Sequence, residues 1–298
     1  MNTATGADRR IASLPGREVA YRDVVPVPGV DPAPRQGVAP VLMVHGIGSS
    51  MDTWGPVPER LAAAGLRVLV VDLPGHGESS RGRGDYSLGA LASTLRDLLD
   101  HLSIASVHFI GHSLGGGVAM QFAYQFPDRV ASLLLESSGG LGEEVFPGLR
   151  AASLPGAHAV IGWAINERTL SGAAWVGGRL ARVGVTPHAL SPHALQTVGR
   201  LSDPQRRAAF VATVRGVISP RGQSVSALEI VPLWSRQPVL FVWGDRDPMI
   251  PVSHGHRAHA LVPGSTLVVF PGAGHEPHQH DPDRFAALAA HHVLSVAS

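Results

Sequence analysis

Ser113 stands in the stretch GHSLGG (111–116), directly after the apolar run SVHFI. A serine hydroxyl is a poor nucleophile at neutral pH. It needs a base within hydrogen-bond reach, and the base needs a third group to fix its tautomer. The chain supplies these residue types after separate apolar runs: Ser113, then Asp245 and Asp247 in PVLFVWGDRD, then His275 in GAGH. Acyl transfer also needs N–H donors for a developing oxyanion. The N–H of Leu114 is one candidate. The other is the N–H of Ile47 in HGIG (45–48), a turn that also follows an apolar run. His45, Gly46 and His112 flank these positions and read as supporting residues. A G-x-S-x-G pattern alone decides little in a chain with 35 glycines. Its neighbours carry the weight.

Those residues need elements to hold them. REVAYRDV (17–24) alternates as a half-buried strand. APVLMVHG (39–46), LRVLVVDLPG (66–75), SVHFIG (106–111), VASLLLES (130–137), PVLFVWGD (238–245) and STLVVFPG (265–272) read as buried strands. GPVPERLAAAG (55–65) and SLGALASTLRDLLDHL (87–102) have helical spacing. Another helix runs from the serine turn to about Phe126, and a last one is capped by Asp281 with Pro282 in its first turn. Buried strands alternating with helices predict a mainly parallel sheet covered on both faces, with its site at the carboxyl ends of the strands. In the serine turn, Cβ atoms at Gly111 and Gly115 would crowd the backbone, and Ser113 itself is expected in a strained conformation.

Residues 139–234 break the alternation. They are rich in Ala, Gly and Arg, and read as a helical cap inserted between two core segments, 1–138 and 235–298. Within 141–232 there are nine Arg against five acidic residues, a balance that reads as a solvated helical surface.

Composition narrows the chemistry. The 298 residues carry a formal net charge of +1, which argues against a nucleic-acid partner. There is no cysteine and no lysine, which excludes disulfides, thiolate metal sites, a cysteine nucleophile, a lysine Schiff base and a Walker-type phosphate loop. No apolar run is long enough to span a membrane, and the first residues do not read as a signal peptide. A cytoplasmic enzyme is the expectation. The tract HEPHQH (275–280) is rich in histidine but lacks the carboxylate pattern of a zincin, so no metal is expected. Trp54, Phe146, Trp163, Trp175 and Trp234 are candidates either for a pocket or for the core.

VHGIGSSMDTW, VVDLPGHGES, GHSLGGGVAMQFAYQFPDRV, WGDRDPMIP and PGAGHEPHQHDP resemble, in order and spacing, the α/β-hydrolase fold superfamily from about residue 16 to the end. The resemblance implies an α/β fold: a mostly parallel eight-stranded sheet flanked by helices, with a cap after the sixth strand. It implies a triad of Ser113, Asp247 and His275, with Glu136 as the alternative acid and Asp245 as a turn residue. It implies hydrolysis of a small-molecule ester or related acyl substrate without a cofactor. The nucleophile is serine, which disfavours epoxide hydrolases and haloalkane dehalogenases, whose position holds aspartate. Carbon–carbon bond hydrolases of ring-cleavage products are the runner-up. They commonly carry Asn before the serine and an aromatic residue after the histidine, where this chain has His112 and Glu276. A non-catalytic binding protein of the same fold is the alternative from another class. Association into a homo-oligomer stays open.

Overall fold

The computed structural model describes residues 9–26, 35, 37–81, 84–166, 169 and 197–296. Eight strands form one sheet: β1 (Arg9–Leu14), β2 (Arg17–Val24), β3 (Val41–Val44), β4 (Val68–Val71), β5 (Val107–His112), β6 (Val130–Glu136), β9 (Val239–Gly244) and β10 (Thr266–Phe270). Their spatial order is β1-β2-β4-β3-β5-β6-β9-β10. The β1–β2 and β2–β4 pairs are antiparallel, and every other pair is parallel.

Each central strand is apolar on both faces. Leu42 and Val44 of β3 pack into one layer, Val41 and Met43 into the other. This is the period-two alternation of a strand with no wet side. The first layer holds α2 (Leu88–His101) and α3 (Leu114–Gln125); the second holds α1 (Val57–Ala63) and α10 (Pro282–Val296). Ser87 caps α2 by accepting from the Ala90 N–H. Asp281 does the same for α10, with its carboxylate 3.0 Å from the Arg284 N.

Between β6 and β9 lie α4 (Pro147–Ala152), α5 (Ala157–Ala164), α6 (Pro204–Val217), a hairpin of β7 (Ile218–Ser219) and β8 (Gly222–Gln223), and α7 (Val231–Trp234). Ala152, Leu201, Phe210, Val211, Val214 and Ile218 form a separate small core there. Val231 and Trp234 instead join the main core with Val239 and Phe241. Core packing therefore resumes before residue 235.

Besides the short β7–β8 hairpin and a single helical turn in the histidine tract, two elements escaped the sequence pattern. β1 is an edge strand whose arginines and Ile11 stay outside and in which only Ala12 and Leu14 are buried, so its apolar alternation is broken. The other is α8 (Ser253–Leu261), SHGHRAHAL, which lacks an apolar stripe and is held through buried His254 and Ala258. Completing the elements, α9 (Pro277–His280) is one turn inside the histidine tract.

Candidate active site

β5 runs straight into α3 with a single residue between them. That residue, Ser113, has φ 55° and ψ −113°. A non-glycine residue held at positive φ costs on the order of 1–3 kcal/mol. The turn is tight because the neighbouring backbones nearly touch. A Cβ at Gly111 would lie 2.3 Å from the Gly115 carbonyl oxygen, and one at Gly115 would lie 2.2 Å from that of Val44. Neither position admits a side chain. The strain is held by two bonds to the next strand end: the Ser113 N–H donates to the Glu136 carbonyl at 2.9 Å, and the Gly139 N–H donates to the Ser113 carbonyl at 3.0 Å.

Asp247 and His275 meet across two loops. His275 Nδ1 lies 2.8 Å from Asp247 Oδ2. The other oxygen, Oδ1, accepts the N–H groups of Met249 and Ile250 at 2.8 and 3.0 Å, so the carboxylate cannot rotate without losing all three partners. With Nδ1–H donating to the carboxylate, Nε2 is the ring atom that can take a proton. Asp245 is a turn residue, accepting the Gly272 N–H at 2.7 Å. His112 Nε2 donates to the His275 carbonyl at 2.9 Å. The residue before the serine is thus fastened to the loop that carries the imidazole.

Ile47, Ser113 and Leu114 line one cavity of about 50 Å³. Leu88, Val145, Leu149, Val217 and Ile250 add apolar walls, and Gly117, Gly139 and Gly140 bring bare backbone to its edge. Leu114 opens α3, so its N–H has no acceptor within the helix. Gly46 faces the serine turn, and a Cβ there would lie 3.1 Å from Ser113 Cβ. His45 is buried and accepts the Leu73 N–H on Nε2 at 3.1 Å, which leaves Nδ1–H to donate to the Gly46 carbonyl at 2.7 Å. It is a neutral strut beneath the HGIG turn. Asp72 ties the segment that follows this turn to DLPGHGES by accepting the N–H groups of Met51 (2.6 Å) and Glu78 (2.8 Å). Burial raises the Asp72 pKa to about 6, against the lowering effect of those two bonds.

Glu136 is not beside His275. It is fully buried and binds His278, whose backbone N lies 2.8 Å from Oε1 and whose Nδ1 lies 2.8 Å from Oε2. Sequence reasoning treated these two residues separately, one as an alternative acid and one as part of a histidine tract. Only the fold brings them together. Trp54 stacks on His278 at 4.6 Å between ring centroids, behind the site. Trp234 lies in the main core, while Phe146 and Trp163 are exposed. None of these four lines the cavity, and Trp175 lies outside the described residues.

Comparison with known proteins fits this geometry. Residues 41–288 match the Alpha/beta hydrolase family. The chain belongs to that family. An uncharacterized protein of Mycobacterium tuberculosis is 41% identical over 269 residues, covering 89% of this chain and 76% of that one. Two solved structures share the hydrolase fold with it. A meta-cleavage product hydrolase from Pseudomonas fluorescens superposes with a TM-score of 0.72 at 22% identity, over 97% of this chain and 98% of that one. A thermophilic esterase from Thermogutta terrifontis gives 0.70 at 23% identity, over 98% and 100%. At these identities the two likenesses show the fold alone, and fold does not choose a chemistry. Among the described residues, no helix of this hydrolase-family chain is long and apolar enough to cross a membrane.

Proposed function

We propose that the chain is a serine hydrolase of small carboxylic esters. The observation that carries this reading is the 2.8 Å bond between His275 Nδ1 and the immobilised Asp247, in a loop fastened to the turn that presents Ser113. In this reading His275 Nε2 takes the hydroxyl proton as Ser113 Oγ bonds to the acyl carbon. The oxyanion is held by the N–H groups of Ile47 and Leu114. The carbon–oxygen bond to the leaving alcohol breaks, and His275 returns its proton to that oxygen. Water then gives a proton to His275 as its oxygen bonds to the acyl carbon, the bond from that carbon to Ser113 Oγ breaks, and His275 returns the proton to Oγ, releasing the acid and the free serine. Asp247 holds the tautomer and stabilises the charged ring. The helices between β6 and β9 serve as a cap over the cavity. A space of about 50 Å³ with mostly apolar walls suits a short acyl chain.

The runner-up, cleavage of a carbon–carbon bond in a vinylogous diketone, comes from the relatives. A sequence relative named as a 2-hydroxy-6-oxo-6-phenylhexa-2,4-dienoate hydrolase, from Burkholderia cepacia, is 28% identical over 269 residues. His112 in place of Asn, and Glu276 in place of an aromatic residue, support the ester reading instead.

The test uses p-nitrophenyl esters of rising acyl length, with Ser113→Ala as the control. Acetate and butyrate esters should turn over best, with covalent labelling of Ser113 by a fluorophosphonate. A wild type that neither hydrolyses nor labels would sink the reading and leave a binding protein. Preference for a vinylogous diketone by orders of magnitude would move it to the runner-up.

A further inference from the structure

Glu136 stands at the end of β6 and reaches both halves of the proposed catalytic unit. Its carbonyl oxygen accepts the Ser113 N–H at 2.9 Å. Its carboxyl group accepts the backbone N–H and meets the ring Nδ1 of His278, three residues beyond His275. The far side of the His278 ring faces the Thr53 carbonyl, 3.1 Å from Nε2. A carbonyl only accepts, so Nε2 must carry a proton, and Nδ1 is left to share a hydrogen bond with the Glu136 carboxyl group. The geometry is that of a buried imidazole–carboxyl pair. Burial pushes the His278 pKa down, but the charge and hydrogen bonds of Glu136, with the charge of Glu276, outweigh it and leave the pKa raised. His112 lies between the two imidazoles, its ring 4.8 Å from that of His275 and 5.2 Å from that of His278.

We propose that Glu136 is the positioning residue that sets the placement of base against nucleophile, its carbonyl holding Ser113 and its carboxylate holding, through His278, the loop that carries His275. The inference rests on the serine-hydrolase reading. Glu136 acts through His278 and does not line the cavity. Its removal should therefore slow the chemistry and leave substrate binding alone.

The experiment measures turnover of p-nitrophenyl acetate per serine labelled by a fluorophosphonate, so that unfolded molecules are not counted. Glu136→Ala, which keeps the carbonyl but removes the carboxylate, is expected to lose about 100-fold in kcat per labelled site, as misplaced catalytic groups do, with KM within about twofold. Glu136→Gln keeps the fastening, its amide oxygen accepting the His278 backbone N–H and its NH2 donating to Nδ1 of a ring protonated on Nε2, and should stay within about threefold of wild type. A Glu136→Ala enzyme with wild-type kcat per labelled site, or a loss seen mainly in KM, overturns the proposal. If Glu136→Ala does not fold, Glu136→Leu, which fills the space without an acceptor, decides: a loss of about 100-fold supports the proposal and kcat near wild type overturns it. A wild type that neither labels nor hydrolyses sinks the serine reading and this inference together. A labelled wild type with an indifferent Glu136→Ala sinks this inference alone.

Discussion

Asp247 and Glu136 each hold an imidazole, and the two imidazoles, His275 and His278, stand three residues apart in the chain. Both contacts are 2.8 Å long. Their surroundings differ. His275 keeps a partly exposed ring and one nitrogen free to exchange a proton, whereas His278 has no exposed side-chain surface and spends both nitrogens on hydrogen bonds. The same pairing of groups thus supports opposite behaviour. With an open nitrogen, the ring has a place to take a proton, as the proposed base requires. With both nitrogens engaged, it is a fastening. Burial and the partner of the second nitrogen decide between them, and residue type does not.

The largest effect expected from breaking this contrast is on activity. Asp247→Asn keeps the acceptor toward Met249 and Ile250 but offers the wrong partner to His275. Ester turnover should fall about 10⁴-fold while the melting temperature barely moves. Glu136→Ala should lose less activity, about 100-fold, but more stability. It leaves an unpaired buried imidazole, and urea denaturation should report a loss of about 3–5 kcal/mol.

Asp72 sharpens the comparison, because it is a buried carboxylate without an imidazolium partner: His45 Nε2 is 3.9 Å away and that ring is neutral. An unfolded aspartate ionises near 3.8, and Asp72 in the fold near 6. Its contribution favours the fold below the lower value and is lost as pH rises to the upper one, by roughly 3 kcal/mol. Denaturation of wild type and Asp72→Asn across pH 4–7 should show this as a difference that changes only below about pH 6. The His278 pKa is raised above 6.5. Its contribution is present below that value and is lost only as pH climbs through the raised one, so the two windows separate. The smallest effect is expected from Thr53→Val. It removes the hydroxyl that Gln279 reaches at 3.0 Å but keeps the carbonyl that meets His278. A loss of about 1 kcal/mol is expected, read as a melting shift of a few degrees.

What the sequence made legible follows the same division. Ser113, Asp247 and His275 each follow an apolar run, and position after a strand is written in the local pattern. All of the buried central strands were readable for the same reason. The Glu136–His278 pair was not, because its meaning lies in a contact across 142 positions. Nothing near Glu136 marks it as the partner of a histidine, and HEPHQH invites a metal reading until one of its histidines is found spent on a carboxylate. The cavity walls were equally hidden. Trp54 and Trp234, the most conspicuous apolar candidates, went to the core, and the lining came mainly from aliphatic side chains and glycine backbone.

The bonds between Thr53 and Gln279 join positions 226 residues apart. They have a consequence in time. Long-range contacts form only after the intervening chain has been brought into register, and chains dominated by them fold slowly. On a ribosome, which makes protein from the amino end, the serine turn emerges more than a hundred residues before its histidine loop. In the proposed reading, Ser113 therefore waits through the synthesis of more than a hundred residues before the imidazole meant to activate it exists.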